Sequence, residues 1–144
     1  MRQEDRHHKK DEKHQKEVGK KMLKVKDIMN THPVTITKEI NMYEAAKLMS
    51  GKKLGSLVVV EGNVAIGIIT ERDILNRLVA KNSRPEDVKV EEIMTTDFYS
   101  ITSDRTVVEA NKIMSVKDIR RLPVIEDDKL IGMISATDLL RQGL

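Results

Sequence analysis

Hydrophobic and polar positions change period in a fixed order along this chain, and the order occurs twice. It begins with a short extended piece around Val34 to Ile36, followed by a helical face built from Met42, Ala45, Ala46, Leu48 and Met49. Two β-branched runs come next, Leu57 to Val60 and Val64 to Ile69, joined by a tight Glu61-Gly62-Asn63 turn. A second helix is expected to start at Thr70. The same succession returns as Tyr99 to Ile101, a helical face of Val107, Val108, Ala110, Ile113 and Met114, strands Leu122 to Ile125 and Leu130 to Ile134 around Asp127-Asp128, and a helix from Ser135.

A shift of 65 residues superposes Val25–Arg77 on Val90–Gln142 without a gap, and about 20 of the 53 aligned pairs are identical. Ile28-Met29 falls on Ile93-Met94, Glu44-Ala45 on Glu109-Ala110 and Ile66-Gly67 on Ile131-Gly132. A repeat of this kind fixes the architecture before any single element does. The expectation is an α+β fold: two βαββα units packed about a pseudo-twofold axis into one module. A unit of this size buries too little of its own surface to stand alone, so copy must pack on copy, leaving clefts between them. The predicted boundaries are a charged N-terminal arm at 1–23, a first repeat at 24–83 and a second at 84–144.

Charge is unevenly distributed. The net charge is +3, but residues 1 to 24 carry nine Lys/Arg against five Asp/Glu, while the other 120 carry 17 against 18. The positive balance therefore belongs to the arm and not to the repeats. The arm also holds His7, His8 and His14, without a regular ligand spacing, and reads as a disordered or solvated helical segment more readily than as a metal site. Aromatics are only 2% of the chain, so the core must be aliphatic. The absence of cysteine excludes disulfides, thiolate metal sites and cysteine nucleophiles. No apolar run approaches the roughly 18 residues of a membrane span, and the simplest reading is a soluble, cytoplasmic protein with no membrane partner.

One motif closes both units: Gly67-Ile68-Ile69-Thr70-Glu71-Arg72-Asp73 and Gly132-Met133-Ile134-Ser135-Ala136-Thr137-Asp138. A hydroxyl residue followed three positions later by an acid is a capping box, a purely structural device. The same geometry can also serve a ligand. Free N–H groups at a helix start favour an anion, and a carboxylate there can accept hydrogen bonds from a vicinal diol. On this reading Thr70 or Ser135 donates to phosphate or sugar while Asp73 or Asp138 holds ribose hydroxyls. One residue can fill both roles.

Together with Val25-Lys-Asp-Ile-Met29, Val90-Glu-Glu-Ile-Met94 and Arg121-Leu-Pro-Val124, the paired motifs resemble a tandem cystathionine β-synthase (CBS) domain pair, or Bateman module, over about residues 24 to 142. The resemblance implies a regulatory sensor of adenine nucleotides (AMP, ADP or ATP), or in some members S-adenosylmethionine. It implies Asp73 and Asp138 on ribose, Thr70 and Ser135 on ribose or phosphate, and Arg120 and Arg121 on phosphate. Thr31 and Pro33, in Thr31-His32-Pro33-Val34, match the family's style at the entry to the first strand.

The copies depart from each other at the phosphate positions, where Gly55 and Ser56 stand in place of Arg120 and Arg121. A planar, permanently charged guanidinium suits phosphate, so the two clefts should differ. Arg72, Lys52 or Lys53 can compensate. Thr96-Asp97-Phe98-Tyr99 replaces the proline of the first copy with aromatics, which suit a core or interface as well as base stacking.

The expected function is thus a non-enzymatic module that needs no cofactor, takes an adenosine-containing small molecule as ligand, forms a homodimer and signals to a protein partner the sequence does not name. Two alternatives stay open: a ligand-free dimeric adaptor, and nucleic-acid binding through the basic arm. The second is weakened by few aromatics and by interleaved acidic residues. An enzyme would need a nucleophile with its base or a metal cage, and the only histidine of the repeats is His32, in a loop.

Overall fold

The computed structural model describes residues 23–144; the histidines of the arm and its charge pattern lie outside the described residues. The elements are α1 (Val25–Ile28), β1 (Thr35–Ile36), α2 (Met42–Lys52), β2 (Ser56–Glu61), β3 (Val64–Thr70) and α3 (Glu71–Asp73), which continues as a π-helical stretch, Ile74–Val79. A 3-10 turn, Pro85–Asp87, leads to α4 (Val90–Ile93), α5 (Val107–Lys117), β4 (Arg121–Glu126), β5 (Lys129–Ser135) and α6 (Ala136–Arg141). This is the expected α+β arrangement of two βαββα repeats.

Local chemistry sets the element ends. Asn41 caps α2 by accepting from the Glu44 N–H at 2.9 Å, and Thr106 caps α5 by accepting from the Glu109 N–H at 3.2 Å. Both helices stop at a left-handed residue, Lys53 (φ 56°) and Asp118 (φ 54°), whose N–H groups satisfy the last carbonyls. In the second hairpin Asp127 and Asp128 both take positive φ, as a two-residue primed turn demands.

The sheet order is β1-β2-β3-β5-β4, with β1 parallel to β2 and the other neighbours antiparallel. The halves meet at one residue pair, Val64 with Lys129, reinforced by the Leu130 N–H donating to the Asn63 carbonyl at 2.8 Å. The second copy of β1 is shorter than expected: of Tyr99 to Ile101, only Ile101 bridges to Val124. Extending that parallel ladder to Ser100 would require an N–H from Pro123, which has none.

Instead of one shared core there are two aliphatic clusters, and each is completed by a segment of the other repeat. Val90 and Ile93 of α4 pack with Met42, Leu57, Val59 and Ile69 of the first repeat. Val25 of α1 packs with Val107, Leu122, Val124 and Ile134 of the second, and Leu23 joins the same cluster. Backbone hydrogen bonds seal the exchange: Val25 N–H to Arg105 C=O and Val107 N–H to Leu23 C=O on one side, Val90 N–H to Ile40 C=O and Met42 N–H to Val88 C=O on the other. Each exchanged turn is capped by its own acid. Asp27 accepts from Lys24 N–H at 2.8 Å and Glu92 from Lys89 N–H at 2.6 Å.

The exchange explains the motif glycines. Asn30 and Met133 bond each other in both directions, as do Thr95 and Ile68, so each exchanged segment lies flat along the strand that leads into a motif turn. Met29 then lies over Gly132 and Met94 over Gly67, leaving no room for a β-carbon.

Candidate functional site

Both motif turns form as capping boxes. At the first, the Thr70 N–H and hydroxyl donate to Asp73 Oδ2 at 2.9 and 3.0 Å, and the Asp73 N–H donates to Thr70 Oγ1 at 3.1 Å. At the second, the Ser135 N–H donates to Asp138 Oδ2 at 3.0 Å and the Asp138 N–H to Ser135 Oγ at 3.1 Å. The pairs Thr70–Asp73 and Ser135–Asp138 are therefore brought together as the spacing required.

Each turn is tied to the loop ahead of the preceding hairpin. The Ala136 N–H donates to the Arg120 carbonyl at 2.8 Å and Arg121 pairs with Ser135 across β4 and β5, which sets both arginines beside the second turn. In the first repeat the Glu71 N–H donates to the Gly55 carbonyl at 3.1 Å, and the Glu71 carboxylate lies 3.6 Å from where a β-carbon on Gly55 would stand. The backbones of two arginines thus border the second turn, and the Glu71 carboxylate lies beside the loop at the first.

Arg72 points out of the first turn to Asp118, with N···O at 3.8 Å and both groups well exposed. Such a pair contributes little stability, but it sets the first motif turn beside the loop that carries Arg120. Thr31 and Pro33 take a different place. With His32, Asn63 and Leu130 they line a pocket of about 190 Å³ near the first hairpin's tip, and no other candidate residue lines it. Tyr99 is half exposed with Lys117 Nζ 5.0 Å from its ring centre, a cation–π contact on the surface.

Two residues absent from the expected set prove central to the first turn. Thr95, from the exchanged segment, donates its hydroxyl to Asp73 Oδ1 at 3.0 Å. Arg77 faces the same oxygen with Nε at 3.8 Å and donates through Nη1 to the carbonyls of Ile93 and Met94 at 3.1 and 3.3 Å. Asp73 is left only 7% exposed, the sole buried charged residue among those described. No group of three or more potential metal ligands occurs among the described residues, and no helix there is long and apolar enough to cross a membrane.

Two βαββα repeats that exchange their leading turns, each closing on a hydroxyl–aspartate box, define a tandem-repeat module. The family described as CBS domain matches the chain twice, at residues 25–80 and 90–144, and the chain belongs to that family as a CBS domain pair. Among curated relatives, the CBS domain-containing protein YhcV of Bacillus subtilis is 35% identical over 118 residues, 82% of this chain and 84% of that protein. An uncharacterized 17.7 kDa protein of Acidianus ambivalens is 41% identical over 120 residues, 82% of this chain and 71% of that protein. Among solved structures, a Burkholderia ambifaria protein with CBS domains, assigned to signal transduction, superposes with a TM-score of 0.77 at 34% identity, covering 84% of this chain and 93% of that one. The CBS domain pair of protein MJ0100, solved with 5′-methylthioadenosine and S-adenosyl-L-methionine, gives a TM-score of 0.73 at 30% identity, covering 83% and 94%.

Proposed function

We propose that this CBS domain pair is a non-enzymatic regulatory sensor that binds an adenosine-containing small molecule, AMP, ADP or ATP in the first place, in a cleft between its repeats. The observation that carries the reading is the second motif turn. There the Asp138 carboxylate can accept from a ribose diol, and the Ala136–Arg120 and Ser135–Arg121 backbone pairings bring the backbones of two arginines to the same turn, which supports the reading. A diol acceptor next to two permanent cations suits a ribose bearing phosphate, or the sugar of an adenosine ligand with a polar tail. Methylthioadenosine and S-adenosylmethionine, the ligands of the MJ0100 pair, share that ribose and base.

Signalling follows from differential affinity: a ligand can shift the module between two arrangements only if it binds one of them better. The exchanged segments offer a route, because the strand beneath each turn is bonded to a segment whose far end joins the other repeat. The receiver is a separate protein or a change of assembly. A second copy of the chain is the first candidate, with the closing helices as contact surface. A cysteine-free chain fits a reducing, cytoplasmic setting.

Isothermal titration calorimetry against AMP, ADP, ATP and S-adenosylmethionine tests the reading. Micromolar binding of at least one ligand, abolished in a folded Asp138→Ala variant, is the expected result. No heat with any of the four would leave the aspartates as helix caps and the protein as a ligand-free adaptor.

A further inference from the structure

The two motif turns are alike in sequence and unlike in what surrounds their aspartates. We propose that Asp73, Thr95 and Arg77 form a clasp between the repeats that closes the first turn to ligand, so that binding falls to the Ser135–Asp138 turn alone, one ligand per chain. The stoichiometry rests on the ligand reading above; the clasp itself does not.

Both oxygens of Asp73 are committed. Oδ2 accepts from the backbone and hydroxyl of Thr70, and Oδ1 accepts from Thr95 and faces Arg77. A diol approaching Oδ1 would have to compete with the Thr95 hydroxyl, beside a guanidinium that is itself bonded to the Ile93 and Met94 carbonyls. Burial adds to the commitment, since breaking a charge-assisted bond in a site this enclosed leaves the carboxylate poorly solvated. Thr95 and the carbonyls that hold Arg77 come from α4 and the residues after it, so the same bonds hold the exchanged segment on the first lobe.

At the second turn each clasp member is replaced. The 65-residue shift puts Asn30 at the position of Thr95 and Gln142 at that of Arg77. Asn30 turns its side-chain oxygen to the His32 N–H at 3.0 Å, and Asp138 Oδ1 has no hydrogen-bond partner among the described residues. The neighbouring acid changes as well: Glu71 of the first turn is replaced by Ala136 at the second.

The test joins a thermodynamic cycle to a binding count. Urea unfolding of Asp73→Asn and of Thr95→Val should each lower the folding constant roughly 10- to 100-fold, with the double variant losing clearly less than the product of the two. Asp138→Asn should change it only a few-fold. Equilibrium dialysis with ATP and with S-adenosylmethionine as probes should give one ligand per wild-type chain, lost in Asp138→Ala, with the affinity of that site unchanged in Thr95→Val. Two ligands per wild-type chain, or binding lost in folded Asp73→Asn but kept in Asp138→Ala, would overturn the proposal. If neither probe binds the wild-type protein, the ligand reading fails, and the cycle alone then judges the clasp: coupling between Asp73 and Thr95 upholds it and independent effects refute it.

Discussion

A β-carbon on Gly132 would lie 2.7 Å from Met29 Sδ and 3.0 Å from the Asn30 carbonyl oxygen; one on Gly67 would lie 2.7 Å from Met94 Sδ and 3.2 Å from the Thr95 carbonyl oxygen. The thioethers can swing aside. The carbonyls cannot, because Asn30 and Thr95 are held in two-way backbone pairs with Met133 and Ile68. Gly132→Ala should therefore cost about 1–3 kcal/mol, Gly67→Ala somewhat less, and trimming Met29 to alanine should restore only part of the loss. Urea midpoints of the single and paired variants measure this; full rescue by Met29→Ala would mean that the carbonyl contact is not what matters. The sequence alone made the hydroxyl and acid of each turn legible, because a capping box is a contact over three residues. Thr95 and Arg77 were not, since Thr95 reaches Asp73 from 22 residues away through the exchange of segments. The one trace they leave in the sequence is a departure from the repeat: Asn30 against Thr95 and Gln142 against Arg77.

The short helical turns α1 and α4 carry more of the architecture than their length suggests. Val25 and Val90 are fully buried, each in the cluster of the repeat to which it does not belong in sequence. Truncating either to alanine should cost about 1.5–3 kcal/mol. The location of the loss is the sharper prediction: hydrogen exchange should show Val25→Ala loosening β4 and β5, and Val90→Ala loosening β2 and β3. Protection lost within the mutated residue's own repeat would contradict the exchange. Periodicity made the strands and the two long helices legible, since their apolar positions recur at period two or near 3.6 and the 65-residue shift checks one copy against the other. It could not show the exchange, because a four-residue turn with apolar residues only at its two ends reads alike whichever lobe it enters. Nor did it show the π-helical stretch after Asp73, where the Ala80 N–H bonds the Leu75 carbonyl; hydrophobic spacing over six residues does not separate i→i+5 from i→i+4 bonding.

In the whole molecule, two lobes joined by one sheet contact and a reciprocal exchange turn their closing helices outward. Leu75 on the first and Leu140 on the second are 60% and 70% exposed and stand 65 residues apart, so the repeat places a large apolar side chain at the same exposed position twice; Val79 adds a third at 61%. Scattered exposed leucines are ordinary, but a pair fixed by the internal repeat marks two equivalent surfaces on one molecule. A homodimer that brings the closing helices of two copies together would cover both surfaces, and it would let ligand state at a motif turn be read as a change of assembly, since each closing helix begins at that turn. Light scattering should accordingly find a dimer at micromolar concentration, and Leu75→Glu combined with Leu140→Glu should yield a monomer. Because both positions are exposed in the single chain, the variant should keep its circular dichroism and its stability as a monomer to within about 0.5 kcal/mol per site. A wild-type monomer across that range, or a double-glutamate variant that still dimerises, would place the receiver of the signal elsewhere than in a second copy docked on these helices.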